Sequence, residues 1–294
     1  MKKPNFFLIG VPKAGTTSIH EVLSAQDHIF MSELKEPHFF SNVGDFGISQ
    51  KNIRSDSDYY KLFSKASAGD RVIGESSTSY FYSKPAMESI KEVCPDAKIL
   101  IVLRDPIDRL LSHWSMDVRE GVQKKSLFDA IEEDYSRSEK GYRVSHMYIE
   151  CGRYYEGVKN AMEIFGGDNV FICLFDDLME SPSHFYKRLF VWLGLSGSFY
   201  SVSKLSHSNK AGEVKNVVAR KLFHFRPLRR FLAYWLSGSI KAVLRSLIMS
   251  PAGKVYISVE EEEKLAKFFS KDLDNLIRDY DLNVSSWRTV KYLK

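Results

Sequence analysis

The chain is most constrained by short apolar runs that each stop at turn residues and alternate with segments of helical spacing. Asn5–Gly10 (NFFLIG) is one such run, closed by glycine. It has the continuous apolar character of a strand buried on both faces. Thr16 to Ala25 follows with Ile19, Val22 and Leu23 at helical spacing. Arg71–Glu75, Lys98–Leu103 and Asn169–Leu174 repeat the strand signal, and Lys98–Leu103 (KILIVL) is the strongest. Pro106 suits a first helical position and opens a helix carrying Leu110, Leu111 and Trp114. Spacing predicts further helices at about 84–93, 126–135, 148–165, 183–193 and 259–279. Strands separated by helices indicate an α/β fold with a mainly parallel central sheet flanked by helices.

Composition narrows the class. The 294 residues include 20 Phe, 15 Tyr and 4 Trp, enough apolar surface to exclude disorder as the main state. No uninterrupted apolar run reaches the roughly 18–20 residues of a bilayer span. The first apolar run is too short for a signal-peptide core. Cys94, Cys151 and Cys173 show no metal-ligand spacing, so neither a disulfide scaffold nor a zinc site is expected. These features predict a cytoplasmic chain. No internal repeat or separating linker is evident, so one domain over 1–294 is expected. It divides into an α/β core at 4–195, a polar lid-like loop at 196–215, a basic amphipathic helical segment at 216–250, and a helix and tail at 251–294.

The first strand runs directly into Gly10-Val11-Pro12-Lys13-Ala14-Gly15-Thr16-Thr17-Ser18 and then a helix. Unpaired N–H groups and the dipole at a helix N-terminus favour an anion. Gly15 permits close backbone approach, Lys13 supplies a charge, and three hydroxyls supply donors. The nucleotide-kinase loop GxxxxGK[ST] places its lysine after the second glycine. Here Thr16 holds that place and Lys13 precedes Gly15 by two, which argues against an ordinary ATPase or kinase. After the strand at 98–103 comes Arg104-Asp105-Pro106-Ile107-Asp108-Arg109-Leu110-Leu111-Ser112-His113-Trp114. Arg104 stands at a strand's C-terminal end, where open α/β sheets bind ligands, and its guanidinium can hold phosphate bidentately. An ion pair with Asp105 or Asp108 is the alternative.

Together these segments resemble sulfotransferases that use 3′-phosphoadenosine 5′-phosphosulfate (PAPS). The likeness is closest to carbohydrate enzymes of the heparan-sulfate type and their bacterial relatives. Pro12–Ile19 fits the 5′-phosphosulfate loop PKxGTTxL/I, and 104–114 fits the 3′-phosphate pattern RxPxxRxxSxY/W. The resemblance implies a P-loop-like three-layer fold. It implies PAPS held by Lys13, Ala14, Gly15, Thr16, Thr17 and Ser18, with Arg104 and Ser112 on the 3′-phosphate. No metal is required by this scheme.

Lys35-Glu36-Pro37-His38-Phe39-Phe40 matches the family's acceptor-side pattern Glu-x-His-Phe-Phe. Sulfuryl transfer needs a base for the acceptor proton and positive charge on the bridging oxygen as the bisphosphate leaves. The resemblance assigns the base to Glu36, a substrate contact to His38 and the charge to Lys13; His38 as base is the alternative. Gly74–Phe81 resembles the segment E-K-T-P-x-Y, but Ser76 replaces its lysine and Thr78 its proline. Glu75, Ser76 and Ser77 are therefore candidate acceptor contacts, or the hydroxyl caps of a strand-end turn. Ser206–Gly212 resembles the lid over the nucleotide, with Lys210 its phosphate-contact candidate. The implied reaction moves a sulfuryl group to a hydroxyl, or an amine, of a carbohydrate or glycolipid. A P-loop kinase and a non-catalytic anionic glycan- or membrane-binding module are the rivals.

Charge is unevenly spread. Residues 204–254 hold eleven Lys and Arg against Glu213 alone, a charge of +10, so the other 243 residues carry −5 of the net +5. Residues 220–248 mix basic, aromatic and apolar positions as interfacial helices do. An anionic membrane surface or acidic polysaccharide is one expected partner, and a core-packed helix pair with a solvated basic face is the alternative. No nucleic-acid motif is found. Glu260–Glu263 reads as the first turn of a helix, where carboxylates are favourable.

Overall fold

The computed structural model describes residues 2–41, 53, 55–140, 146–195, 212–214, 249–251 and 255–293. Five strands build the central sheet: β1 Phe6–Gly10, β2 Ile29–Met31, β3 Val72–Ser76, β4 Lys98–Leu103 and β5 Val170–Leu174. Their order is β2-β3-β1-β4-β5 and every pairing is parallel. Parallel pairing needs crossovers, which the helices supply, and so both sheet faces are covered. Burial explains the apolar runs. Phe6, Phe7, Leu8 and Ile9 are each 0% exposed. Gly74 on β3 lies so close to β1 that an added Cβ would stand 2.6 Å from the Phe6 ring.

The helices are α1 Thr16–Ser24, α2 Asp56–Lys61, α3 Lys84–Val93, α4 Pro106–Arg119, α5 Leu127–Ser136, α6 Tyr155–Phe165, α7 Phe175–Glu180 and α8 Pro182–Trp192. Two more, α9 Val259–Lys267 and α10 Ser270–Tyr280, precede a short 3-10 turn at Arg288–Tyr292. One apolar cluster runs from Phe6 to Trp287, so the C-terminal helices pack on the same core as the sheet. Polar ties reinforce this. Asp105 caps α4 by accepting from the Asp108 N–H at 2.9 Å, and its other oxygen accepts from both the N–H and hydroxyl of Thr289 at 2.8 Å.

Two expectations change. The helix predicted over 148–165 begins only at Tyr155, after a 3-10 turn at Glu150–Gly152. Its cap comes from a distant element: the Asp272 carboxylate accepts from Tyr154 N–H at 2.6 Å and Tyr155 N–H at 3.1 Å. The helix predicted over 259–279 is two helices. Phe269 turns into the core at the break, 0% exposed, where an added Cβ on Gly152 would meet its ring at 2.6 Å. A capping box of Ser258 and Glu261 starts α9, with Glu260, Glu261 and Glu262 in the first turn. Finally, β2, α2 and α7 are too short for periodicity to reveal. The lid-like and basic segments lie outside the described residues, except that 212–214 and 249–251 pair antiparallel as β6 and β7. No helix among the described residues is long and apolar enough to cross a membrane. Cys94, Cys151 and Cys173 are buried and free.

Candidate active site

The sheet order makes β1 the switch point, since the chain leaves it toward β2 and β3 on one side and returns to β4 on the other. Ligands of open α/β sheets bind beyond the strand C-termini at such a point. Three neighbouring strands deliver the candidate residues to that edge: β1 leads into the loop 11–15, β4 into Arg104, and β3 into Ser76–Ser79.

The loop after β1 is turned by two residues at positive φ, Lys13 (72°) and Gly15 (79°). Only glycine is comfortable at the second: an added Cβ would stand 2.9 Å from the Phe175 ring. No side chain caps α1, whose first residues are Thr16, Thr17 and Ser18. Thr16 is buried, while Thr17 and Ser18 are half-buried or nearly buried at the helix start. Arg104 braces this loop: its guanidinium donates to the Lys13 carbonyl at 2.8 Å and lies 4.7 Å from the Phe175 ring centre. It forms no ion pair with Asp105 or Asp108; Asp108 pairs with Arg288 at 3.0 Å instead. Tyr154 holds the Arg104 carbonyl from behind at 2.8 Å. The Lys13 ammonium has a thioether for a partner, Met116 Sδ at 3.1 Å. Burial and then the charge of Arg119 lower its pKa to about 8, with Arg104 adding to the effect against Glu120 and Asp117. Ser112 is half-buried on α4 two turns after Arg104, and Arg109 is buried, donating to the Tyr148 carbonyl.

The acceptor-side segment is an irregular strap laid across the end of β3. Ser32 N–H donates to the Gly74 carbonyl at 2.9 Å and Glu36 N–H to the Ser76 carbonyl at 2.8 Å. Glu36 and His38 both adopt positive φ, 60° and 53°. Such backbone is unfavourable for residues with a Cβ and persists only where surroundings impose it. The surroundings are visible. Glu36 Oε1 accepts from Lys35 Nζ at 2.8 Å and Thr78 Oγ1 at 3.3 Å, and Oε2 accepts from His38 Nε2 at 3.1 Å. Burial alone would raise this carboxyl, but the His38 hydrogen bond and the Lys35 charge outweigh it and bring it to about 2. Its side chain remains 35% exposed. His38 Nδ1 lies 2.7 Å from Ser79 Oγ, which in turn lies 2.9 Å from Ser41 Oγ. With Nε2–H donated to the carboxylate, a neutral ring accepts from Ser79.

Glu75 is placed behind this strap rather than on an open surface. It is 0% exposed and its oxygens accept from Tyr59 (2.9 Å), Tyr80 (2.8 Å) and Ser77 (2.6 Å). Burial raises its pKa, and the three hydroxyls oppose that. Ser77 Oγ also accepts from the His38 N–H at 3.1 Å, so the buried carboxylate reaches the strap through one hydroxyl. Ser76 is 0% exposed and bonded to His20 Nδ1 at 2.8 Å. Both of these candidates for acceptor contact are thus buried, Glu75 behind the strap and Ser76 against α1. Lys210 and the basic stretch 220–248 lie outside the described residues. The sequence reading missed Lys35, Thr78 and Ser79 as partners of the Glu36–His38 pair, although all three fall within the quoted segments. It also missed Met116 and Phe175, for which local sequence carries no signal. A cavity of about 600 Å³ lies elsewhere, between α5 and α9, lined by Phe128, Ile131, Tyr135, Leu265 and Phe268; no loop or strap residue lines it.

The family model described as "Sulfotransferase domain" matches residues 3–217. Carbohydrate sulfotransferase 15 of Rattus norvegicus is 24% identical over 246 residues, covering 65% of this chain and 44% of that protein. Heparan sulfate glucosamine 3-O-sulfotransferase 5 of Homo sapiens is 29% identical over 123 residues, covering 42% of this chain and 33% of that protein. The chain thus spans less than half the length of these relatives. The crystal structure of a sulfotransferase from Alicyclobacillus acidocaldarius superposes with a TM-score of 0.74 at 25% identity, covering 98% of this chain and all of that one. A mouse sulfotransferase complexed with PAP shares the fold at 11% identity, with a TM-score of 0.52 over 96% of this chain and 87% of that one.

Proposed function

The chain belongs to the sulfotransferase domain family, and from that premise we propose that it transfers a sulfuryl group from PAPS to a hydroxyl of a saccharide. The observation that carries this reading is the meeting of three chemistries at one sheet edge: a lysine-bearing loop before an uncapped helix, an arginine bracing that loop, and an ionised Glu36 on the neighbouring strand's strap. The uncapped start of α1 fits an anionic donor, as does an ammonium that donates to a thioether. PAPS supplies an activated sulfuryl group on a bisphosphate leaving group. The residues at 13–18 hold its 5′ end, and Arg104 and Ser112 its 3′-phosphate.

In the reaction the acceptor oxygen forms a bond to sulfur while the bond from sulfur to the bridging phosphate oxygen breaks. Glu36 takes the acceptor's proton. A carboxylate of such low pKa is a weak base toward a free alcohol, but the proton becomes acidic as the oxygen–sulfur bond forms. His38 keeps Glu36 ionised and oriented, and its own ring is fixed by Ser79. Lys13 meets the charge that develops on the bridging oxygen. The saccharide class follows the names of the relatives above.

The test is transfer of labelled sulfate from PAPS to a panel of free and lipid-linked glycans. Transfer abolished in Glu36→Gln and Lys13→Ala is the expected result. Glycan binding without turnover would instead identify a binding module. Preference for ATP with Mg²⁺ over adenosine 3′,5′-bisphosphate in calorimetry would overturn the donor assignment.

A further inference from the structure

Helix α4 carries a polar face that the scheme above does not use. Arg109, His113, Met116 and Asp117 follow one another at spacings of four, three and one, and so share one side of the helix. The face is clamped from behind. Asp117, 5% exposed, accepts from His146 Nδ1 at 2.7 Å and Tyr148 OH at 2.8 Å. The His146 and Tyr148 rings stack with centroids 5.0 Å apart, and His113 meets Tyr148 edge-on at the same distance. Asp134 on α5 accepts from the backbone N–H groups of His146 and Tyr148, so the clamp is itself anchored.

On the other side stands Lys13. Among the described residues, Met116 Sδ is the hydrogen-bond acceptor given to its ammonium. A thioether is a weak acceptor, whereas an ammonium is a strongly hydrated group with three donors. A strong acceptor is one residue away: Asp117 favours the charged form of Lys13, and the bonds it accepts from His146 and Tyr148 both fall on Oδ2. The fold therefore gives this lysine a weak partner, while the neighbouring carboxylate is oriented by His146 and Tyr148.

We propose that Met116 is the resting partner of Lys13, holding the ammonium beside the loop and yielding it to an incoming phosphosulfate. Met116 is thus a positioning residue, and the inference rests on the loop being the donor site. A stronger acceptor at 116 would hold the lysine back and weaken donor binding.

Met116→Gln keeps length and supplies an amide oxygen; Met116→Leu keeps volume and removes the sulfur. Binding of adenosine 3′,5′-bisphosphate by the full chain is measured for both, with Lys13 present and in Lys13→Ala. Expected is a loss of about three- to tenfold for Met116→Gln that vanishes in Lys13→Ala, with Met116→Leu within about twofold of the parent. An equal loss in both backgrounds, or no loss in a folded Met116→Gln, overturns the proposal. A second readout needs no ligand: the ¹³C resonance of reductively methylated Lys13. Its titration should move upward in Met116→Gln, because an amide oxygen favours the charged form; an unmoved titration overturns the proposal. Absent bisphosphate binding in the parent chain would defeat the donor-site reading, while the resonance would still decide the role of Met116.

Discussion

On the proposed donor site, the lysine of the loop should make donor binding a proton-linked event. Lys13 titrates at about 8 in the ligand-free chain, because burial and the charges of Arg119 and Arg104 disfavour its ammonium. An anion placed beside it reverses that balance and raises the pKa again. The sign follows: the protonated lysine binds the anion better, so affinity is highest well below pH 8 and falls as pH rises through that value. The protonated fraction is about 0.9 at pH 7, about 0.5 at pH 8 and about 0.1 at pH 9, so the affinity for adenosine 3′,5′-bisphosphate should drop nearly tenfold between pH 7 and 9. Phosphate monoesters are already ionised in this window, with a second pKa of about 6, and add little slope of their own. Titration calorimetry at pH 8 in two buffers of different ionisation enthalpy should show about half a proton taken up per ligand bound. In Lys13→Ala the affinity should be weak and level from pH 7 to 9. A level wild-type affinity, or the same slope in Lys13→Ala, would refute the reasoning.

Other substitutions probe separate links. Glu36→Gln removes the proposed proton acceptor and should lower kcat by about 10²- to 10⁴-fold in the labelled-sulfate assay, with bisphosphate affinity nearly unchanged. Arg104→Ala loses the brace on the Lys13 carbonyl and, on the proposed donor site, a phosphate ligand. Calorimetry should show at least about a tenfold loss, and Arg104→Lys should recover little of it, because an ammonium cannot reproduce the planar fork. Asp272→Ala strips the distant cap from α6. By the usual worth of a capping carboxylate it should cost about 1 kcal/mol, read as a fall in Tm of about 2–4 °C, with Asp272→Asn milder. Glu75→Gln puts an amide donor against three hydroxyl donors. It should destabilise by about 1–3 kcal/mol in urea unfolding and also lower kcat, since Ser77 links Glu75 to the strap.

Much of the site was legible because its chemistry is local. The loop needs a strand, a lysine, a glycine at positive φ and a helix start within about a dozen consecutive residues, and that pattern is written in 6–18. Arg104 was legible for the same reason, as the residue that ends a strongly apolar strand. The environment of Glu36 was not. Its ionisation depends on the ring of His38, which Ser79, 41 positions beyond that histidine, orients, and on Lys35 beside it; Thr78, 42 positions away, adds a hydrogen bond. The helix over 148–165 was overextended because its start is set by Asp272, more than a hundred residues on. The break within 259–279 is set by the pocket for Phe269 against Gly152, which no helical pattern contains.

The sequence by itself determined the α/β class, the buried strands and the positions of the lysine–glycine loop, Arg104 and the Glu36–His38 pair. Those are matters of apolar periodicity and short-range geometry, which neighbouring residues settle among themselves. Tertiary structure alone decided what each site residue faces. It gave Lys13 a thioether and a depressed pKa, buried Glu75 among three hydroxyls, turned Arg104 onto a loop carbonyl and locked Asp117 onto His146 and Tyr148. Charge, burial and hydrogen bonding act through space, and the groups that act on each of these residues come from strands and helices far along the chain.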